Sequence, residues 1–179
     1  KYLQNLHTHS TYCDGKDTLE EMLLSAIEQG FDSVGFSGHS YMHYSPSHSM
    51  SIEGTEAYKK EVAFLKEKYK DKISISLGFE MEYYPDSFEA MLKTAKDCKA
   101  EYLLLGQHFF EEEYLNPLPT AKKTEDEEAL IKYVNLVTDA MKTGAFLYVA
   151  HPDIINFEGD EQNLYEGKIS FDSEGYEEK

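Results

Sequence analysis

Short apolar runs alternate with amphipathic stretches along most of the chain, and this alternation limits the fold more than any other feature. The runs are Tyr2 to His9, Ser33-Val34-Gly35-Phe36-Ser37, Ile73-Ser74-Ile75-Ser76-Leu77-Gly78, Tyr102-Leu103-Leu104-Leu105-Gly106 and Phe146-Leu147-Tyr148-Val149-Ala150. Each has the length of a strand, and the segments between them carry helical periodicity. Thr18-x-x-Glu21 forms a capping box ahead of Leu19, Met22, Leu23, Ala26 and Ile27, and Gly30 closes that helix. A second helix is predicted over roughly 54–70, with Tyr58, Val62, Leu65 and Tyr69 on one stripe. Asp86-x-x-Glu89 and Thr124-x-x-Glu127 read as the caps of a third and a fourth helix. Phe88, Met91, Leu92 and Ala95 point inward from the third, and Leu130, Ile131, Val134, Val137 and Met141 from the fourth. The continuous Tyr102 run suits a strand covered on both faces, and the Phe146 run reads as a fifth buried strand. Strands alternating with helices of this length predict an α/β chain with a parallel sheet under helical cover.

The residues able to bind metal follow the strand period. Successive runs end in His7 and His9, His39, Glu80, His108 and His151, which takes in five of the seven histidines. In barrel-type α/β folds the active site is assembled at that C-terminal rim. On a strand, the i, i+2 spacing of His7 and His9 would point both rings to one face. Two neutral imidazoles converging there suit a cation, whereas two charged rings would repel. Asp14 is either a further ligand or the start of an Asx turn with Gly15. Glu80 and Glu82 share a strand face, and Glu80 is preferred because it lies nearer the end of the apolar run. Imidazole mixed with carboxylate suits Zn, Mn or Fe rather than Ca or Mg, and the thiols are too few for a structural zinc site. Three or more histidines with two carboxylates exceed the needs of one tetrahedral ion. They imply at least two divalent ions, with Glu80 as the bridging candidate. Paired metals can clamp the attacking and leaving oxygens of a phosphoryl displacement.

Charge excludes some partners. The chain has 34 acidic residues against 17 basic ones, all of them Lys, for a formal net charge of -17 over 179 residues. An acidic chain without Arg is poorly suited to nucleic acid or to an anionic membrane, where a basic surface supplies most of the affinity. Cys13 and Cys98 offer neither a CxxC pair nor a disulfide framework, which points to a reducing compartment and a cytoplasmic location. No run reaches transmembrane length, and the start lacks the form of a signal peptide.

HTHSTYCDG, GFSGHS, GFEMEYY, LLGQHFF and VAHPDIINF, in that order and spacing, resemble the PHP (polymerase and histidinol phosphatase) superfamily, and within it the monofunctional histidinol-phosphate phosphatases. The resemblance runs along essentially the whole chain. It implies a distorted TIM-like (β/α)7 barrel with a trinuclear centre at the rim. His7, His9 and Glu80 would hold one metal. Glu80 would bridge to a second bound by His108 and His151, and Asp14 and His39 would serve a third. The implied reaction is hydrolysis of L-histidinol phosphate, a small phosphate ester, to L-histidinol and phosphate by a metal-activated hydroxide, a late step of histidine biosynthesis.

Two departures stand out. Gly38 occupies a position where many members carry Asp. The family's last strands contribute an Asn and an Asp-x-His pair, whereas this sequence ends at Glu177-Glu178-Lys179. The expectation is therefore a single PHP domain over residues 1–179, truncated at its C-terminus, with too few strands to close a barrel. The loop Tyr41-Met42-His43-Tyr44 would overhang the rim. Tyr41 would help wall a substrate pocket, and His43 could contact substrate and reach the leaving oxygen as general acid. His48, set among Ser and Pro, is expected to be solvated. Two other readings stand beside the leading one: a PHP phosphoesterase acting on another small phosphate ester, and a metal-binding PHP domain without turnover. The incomplete ligand set motivates the last.

Overall fold

The computed structural model describes residues 1–42, 48–110 and 119–159. Five strands, β1 (Gln4–Asn5), β2 (Ser33–Phe36), β3 (Ser74–Met81), β4 (Tyr102–Leu105) and β5 (Tyr148–Val149), alternate with four helices. The helices are α1 (Leu19–Glu28), α2 (Ile52–Lys68), α3 (Phe88–Asp97) and α4 (Glu127–Lys142). All neighbouring strands pair in parallel, in the order β1-β2-β3-β4-β5. Parallel crossovers are almost always right-handed, so strands laid side by side in chain order put every helix on the same face of the sheet. The other face becomes the inner wall of a barrel. The α/β architecture expected from the sequence is present as a five-strand half-barrel.

Strand alternation sorts the side chains. Ile75, Leu77, Phe79 and Met81 of β3, with Val34 and Phe36 of β2 and Leu103 and Leu105 of β4, face the helices. There they pack in one buried cluster with Leu19, Leu23, Tyr58, Val62 and Leu65. Each such large apolar side chain contributes about 1.5–3 kcal/mol relative to exposure. The opposite positions, Gly35, Gly78, Glu80 and Tyr102, look into the wall. The Tyr102 ring fills the space that the two glycines leave: a Cβ on Gly35 would lie 2.3 Å from its hydroxyl oxygen and one on Gly78 2.4 Å from Cζ. Its hydroxyl donates to the Leu6 carbonyl at 2.7 Å. One side chain thus spans from β4 to the segment that carries His7.

The ends of the elements differ in part from expectation. Thr18 and Glu21 form the capping box, and Gly30 takes φ 76, where a side chain would be strained. Asp86 does not cap α3. The backbone amides of Ser87 and Phe88 donate to the Tyr84 carbonyl at 3.2 and 2.9 Å, so the helix grows out of a turn and needs no side-chain cap. α4 is capped by Asp126, whose carboxylate accepts from the Glu128 amide at 3.0 Å. Thr124 is held elsewhere, in a bridge to the Phe157 segment. β5 is short and half-exposed rather than buried, and Leu147 just before it is 55 % exposed, because among the described residues β4 is its only neighbour. Met141 is likewise exposed rather than in the core. No described helix is long and apolar enough to cross a membrane.

Candidate metal centre

β1 ends at Asn5, so His7 and His9 lie beyond the strand rather than on it. The chain stays extended there because Thr8 pairs with Ser37: the Thr8 amide donates to Ser37 Oγ at 3.2 Å, and the Ser37 amide donates to the Thr8 carbonyl at 2.9 Å. Both rings still converge, with their Nε2 atoms 3.1 Å apart. A turn then returns Asp14 to the site. The amides of Cys13 and Gly15 both donate to the Ser10 carbonyl at 3.0 Å. Only glycine fits at position 15, since a Cβ would meet the Ser10 amide nitrogen at 2.4 Å. Asp14 Oδ1 then lies 2.7 Å from His9 Nδ1.

His39 follows β2 and forms a parallel bridge with Glu80. His108 follows β4 and His151 follows β5. Gly106 opens the space between them: a Cβ there would lie 2.1 Å from Glu80 Oε1 and 2.6 Å from His108 Cε1.

Glu80 is the hub. It is 2 % exposed, and its two oxygens face five imidazoles. Oε2 lies 3.1 Å from His7 Nε2, 2.9 Å from His9 Nε2 and 3.5 Å from His39 Nδ1. Oε1 lies 2.8 Å from His151 Nε2 and 3.6 Å from His108 Nε2. Asp14 Oδ2 sits 3.5 Å from His39 Nε2. Three sets of donors, His7–His9–Glu80, His9–Asp14–His39 and His39–Glu80–His108, are each close enough to hold one ion. A tetrahedral ion with bonds of about 2.0–2.1 Å sets its ligands about 3.3 Å apart, and the pairs with Glu80 and Asp14 scatter around that edge. The donors therefore fit divalent cations by type and by spacing. The grouping differs in two respects from the resemblance, the first being that His9 joins Asp14 and His39. Secondly, His39 completes the set with Glu80 and His108, while His151 approaches Oε1 alone with its Nδ1 buried and unpartnered.

Electrostatics follow from the crowding. Burial opposes a charge on His9, but hydrogen bonds to Cys13, Glu80 and Asp14 outweigh it and lift its pKa to about 11. His39 goes the other way, to about 3, because burial and the neighbouring imidazoles outweigh Glu80. Burial would raise Glu80, yet donation from His151, His7 and His9 holds it far below the usual carboxylate range. Asp14 is also lowered: burial raises it, but the bond from His9 and the charges of His39 and His9 prevail. A neutral His39 beside two ionised carboxylates suits metal ligation, whereas His9 must give up its proton before it can bind an ion.

His43 and Tyr44 lie outside the described residues. Tyr41 lines a crevice with Thr55, Phe79, Met91 and Thr94, on the helical side of β3. His48 is not solvated as expected. Its ring packs 4.8 Å from that of His39, stacks on Phe109 at 5.6 Å, and buries an unpartnered Nε2. Isolated in the sequence among polar residues, it gave no periodic signal. Gly38 is also accounted for: a Cβ there would meet Met50 Cε at 2.5 Å and Cys13 Sγ at 3.0 Å, so the volume of an Asp side chain is already filled. Glu82, weighed in the sequence only as an alternative ligand, is instead buried behind His108.

The fold and the site together define a class: a TIM-like α/β barrel domain that gathers histidines and carboxylates at the C-terminal ends of its strands. The chain belongs to the PHP family, whose domain it matches over residues 5–172. Histidinol-phosphatase from Bacillus subtilis (strain 168) is 30% identical over 115 residues, 58% of this chain and 42% of that protein. The crystal structure of a Listeria monocytogenes protein, named as histidinol phosphatase HisK, aligns with TM-score 0.72 at 20% identity over 91% of this chain and 73% of the other. The structure of histidinol phosphate phosphatase (HisK) from Lactococcus lactis subsp. lactis Il1403, solved with zinc, L-histidinol and phosphate, aligns with TM-score 0.63 at 21% identity, covering 78% of this chain and 53% of that one. These two likenesses speak to the fold. The chain spans about half the length of the curated relatives it matches.

Proposed function

We propose that this protein is a metal-dependent phosphomonoesterase that hydrolyses L-histidinol phosphate to L-histidinol and phosphate. The observation that carries the reading is the buried Glu80 carboxylate with imidazoles from four other strand ends around both its oxygens. Membership of the PHP family and the histidinol-phosphatase relatives support the substrate class.

His7, His9 and Glu80 would hold one divalent ion and His39, Glu80 and His108 a second, with His151 on the second side of Glu80; the set His9, Asp14 and His39 is an alternative use of His9 and His39, because a neutral imidazole has one lone pair to give. Such ions lower the pKa of a coordinated water and offset charge on phosphoryl oxygens. The chain's own residues supply the geometry. Glu80 keeps its two oxygens aimed at opposite halves of the cluster. The neutral His39 keeps a lone pair available where a charged ring would repel a cation. With every basic side chain a Lys, no guanidinium of this sequence can clamp the phosphate, so its recognition falls to cations, backbone amides and Lys. Two free cysteines suit a reducing compartment such as the cytoplasm.

The test is phosphate release from a panel of phosphomonoesters, with Zn or Mn added to the metal-stripped protein. Histidinol phosphate is expected to exceed generic aryl and sugar phosphates in kcat/KM. Equal turnover across the panel would remove the assigned substrate. Zinc binding with no turnover of any ester would favour a metal-binding domain instead.

A further inference from the structure

Glu82 sits two residues beyond Glu80, on the same inward face, and is 2 % exposed. A buried carboxylate is costly unless its lone pairs are occupied, and four groups surround that of Glu82. The His108 amide donates to both oxygens at 3.0 Å, the Phe109 amide to Oε2 at 3.3 Å, and the Tyr84 hydroxyl to Oε2 at 3.0 Å. The fourth group, His108 Nδ1, lies 2.7 Å from Oε1. Backbone amides can only donate, so Glu82 is held as an acceptor. Burial raises the Glu82 pKa; in its ionised form the carboxylate can only accept, and the short contact to Nδ1 then requires a proton on that nitrogen. An imidazole with its hydrogen on Nδ1 carries its lone pair on Nε2, and His108 Nε2 is the atom that faces Glu80, at 3.6 Å. That separation is too long for a hydrogen bond and close to the ligand-to-ligand edge of a tetrahedral ion.

We infer that Glu82 is a positioning residue of this centre: it fixes both the tautomer and the ring plane of His108, so that Nε2 is presented to the ion shared with Glu80. The inference rests on the metal-dependent reading above. Among the described residues, His108 is the ligand candidate with this support. His9 Nδ1 is bound to Asp14, itself a candidate ligand, and His151 Nδ1 has no partner. Tyr84 extends the chain of contacts, since its hydroxyl closes the remaining side of Glu82.

The experiment has two readouts. Long-range 1H–15N correlation spectra of the metal-free protein in alkaline buffer report the tautomer of each histidine, with His108 assigned by its loss in His108→Gln. Wild-type protein is expected to show His108 as a single Nδ1–H form. Glu82→Ala should convert it to a mixture with Nε2–H, and Glu82→Gln, which keeps one acceptor oxygen, should fall between. Zinc titration should show affinity at one site weakened about 10–100-fold in Glu82→Ala, and less in Glu82→Gln. An Nε2–H tautomer in the wild-type protein overturns the inference without any variant, as does unchanged zinc affinity in folded Glu82→Ala. Failure of the underlying reading looks different: wild-type protein would bind no zinc or release no phosphate, while the tautomer spectrum would still decide what Glu82 does to His108.

Discussion

Replacing Glu80 by Gln keeps the shape of the side chain and removes the charge at the middle of the cluster. In the wild-type protein, Glu80 lies within 3.1 Å of His7, His9 and His151. Hydrogen bonds to charged groups contribute about 1.5–3 kcal/mol each, and removing one partner of a buried ion pair costs about 3–5 kcal/mol. The imidazoles can shed protons once the carboxylate is gone, so the metal-free loss should sit near the low end, about 3 kcal/mol. For a chain of this length, that corresponds to a melting temperature lowered by about 6–12 °C. The sign with pH follows from the lowered pKa of Glu80. Its contribution is fully present above the unfolded-state value of 4.5 and is lost as pH falls toward the folded value, so the gap between the two proteins should narrow in acid. Zinc adds a second axis. At about a hundredfold over Kd, binding stabilises the folded wild type by about 2.7 kcal/mol. Glu80→Gln should lose most of that gain, because two of the three donor sets contain Glu80. Thermal melts in EDTA and in excess zinc measure both terms. Identical melts of the two proteins in EDTA, with an equal zinc shift, would refute the placing of Glu80 at the centre.

Three further outcomes test other parts of the structure. Zinc affinity should rise with pH through the neutral range, because His9 holds its proton up to about 11 and must release it to a metal; calorimetry in buffers of different ionisation enthalpy should show net proton release, and none would contradict the assignment of His9. Gly106→Ala should displace Glu80, whose Oε1 would lie 2.1 Å from the new methyl, costing about 1–3 kcal/mol and weakening zinc binding together; unaltered zinc affinity would show that the space is not needed. Tyr102→Phe removes the donor to the Leu6 carbonyl and should cost about 1 kcal/mol, or about 2–4 °C in melting temperature, with slower hydrogen exchange of the β1 segment counting against the proposed tie.

Most of the fold was legible in the linear pattern. Apolar runs of strand length, a capping box at Thr18 and glycine at position 30 are local features, and local energetics decided them. The caps at Asp86 and Thr124 were misread for the same reason: the sequence shows which residues can cap, not which amides are already satisfied by a turn at Tyr84 or a bridge to Phe157. Partial exposure of β5 depends on how many neighbours a strand has, and no local pattern reports that.

By itself the sequence determined the inventory of candidate donors and its period, since placing His7, His9, His39, Glu80, His108 and His151 at successive strand ends forces them to one rim of any parallel α/β wall. Only the tertiary structure decided how they share that rim. Which oxygen of Glu80 faces which ring, the turn of His48 inward against His39 and Phe109, and the retreat of Glu82 behind His108 are set by contacts across dozens of residues. Such contacts arise from filling a common volume, and sequence spacing carries no record of that.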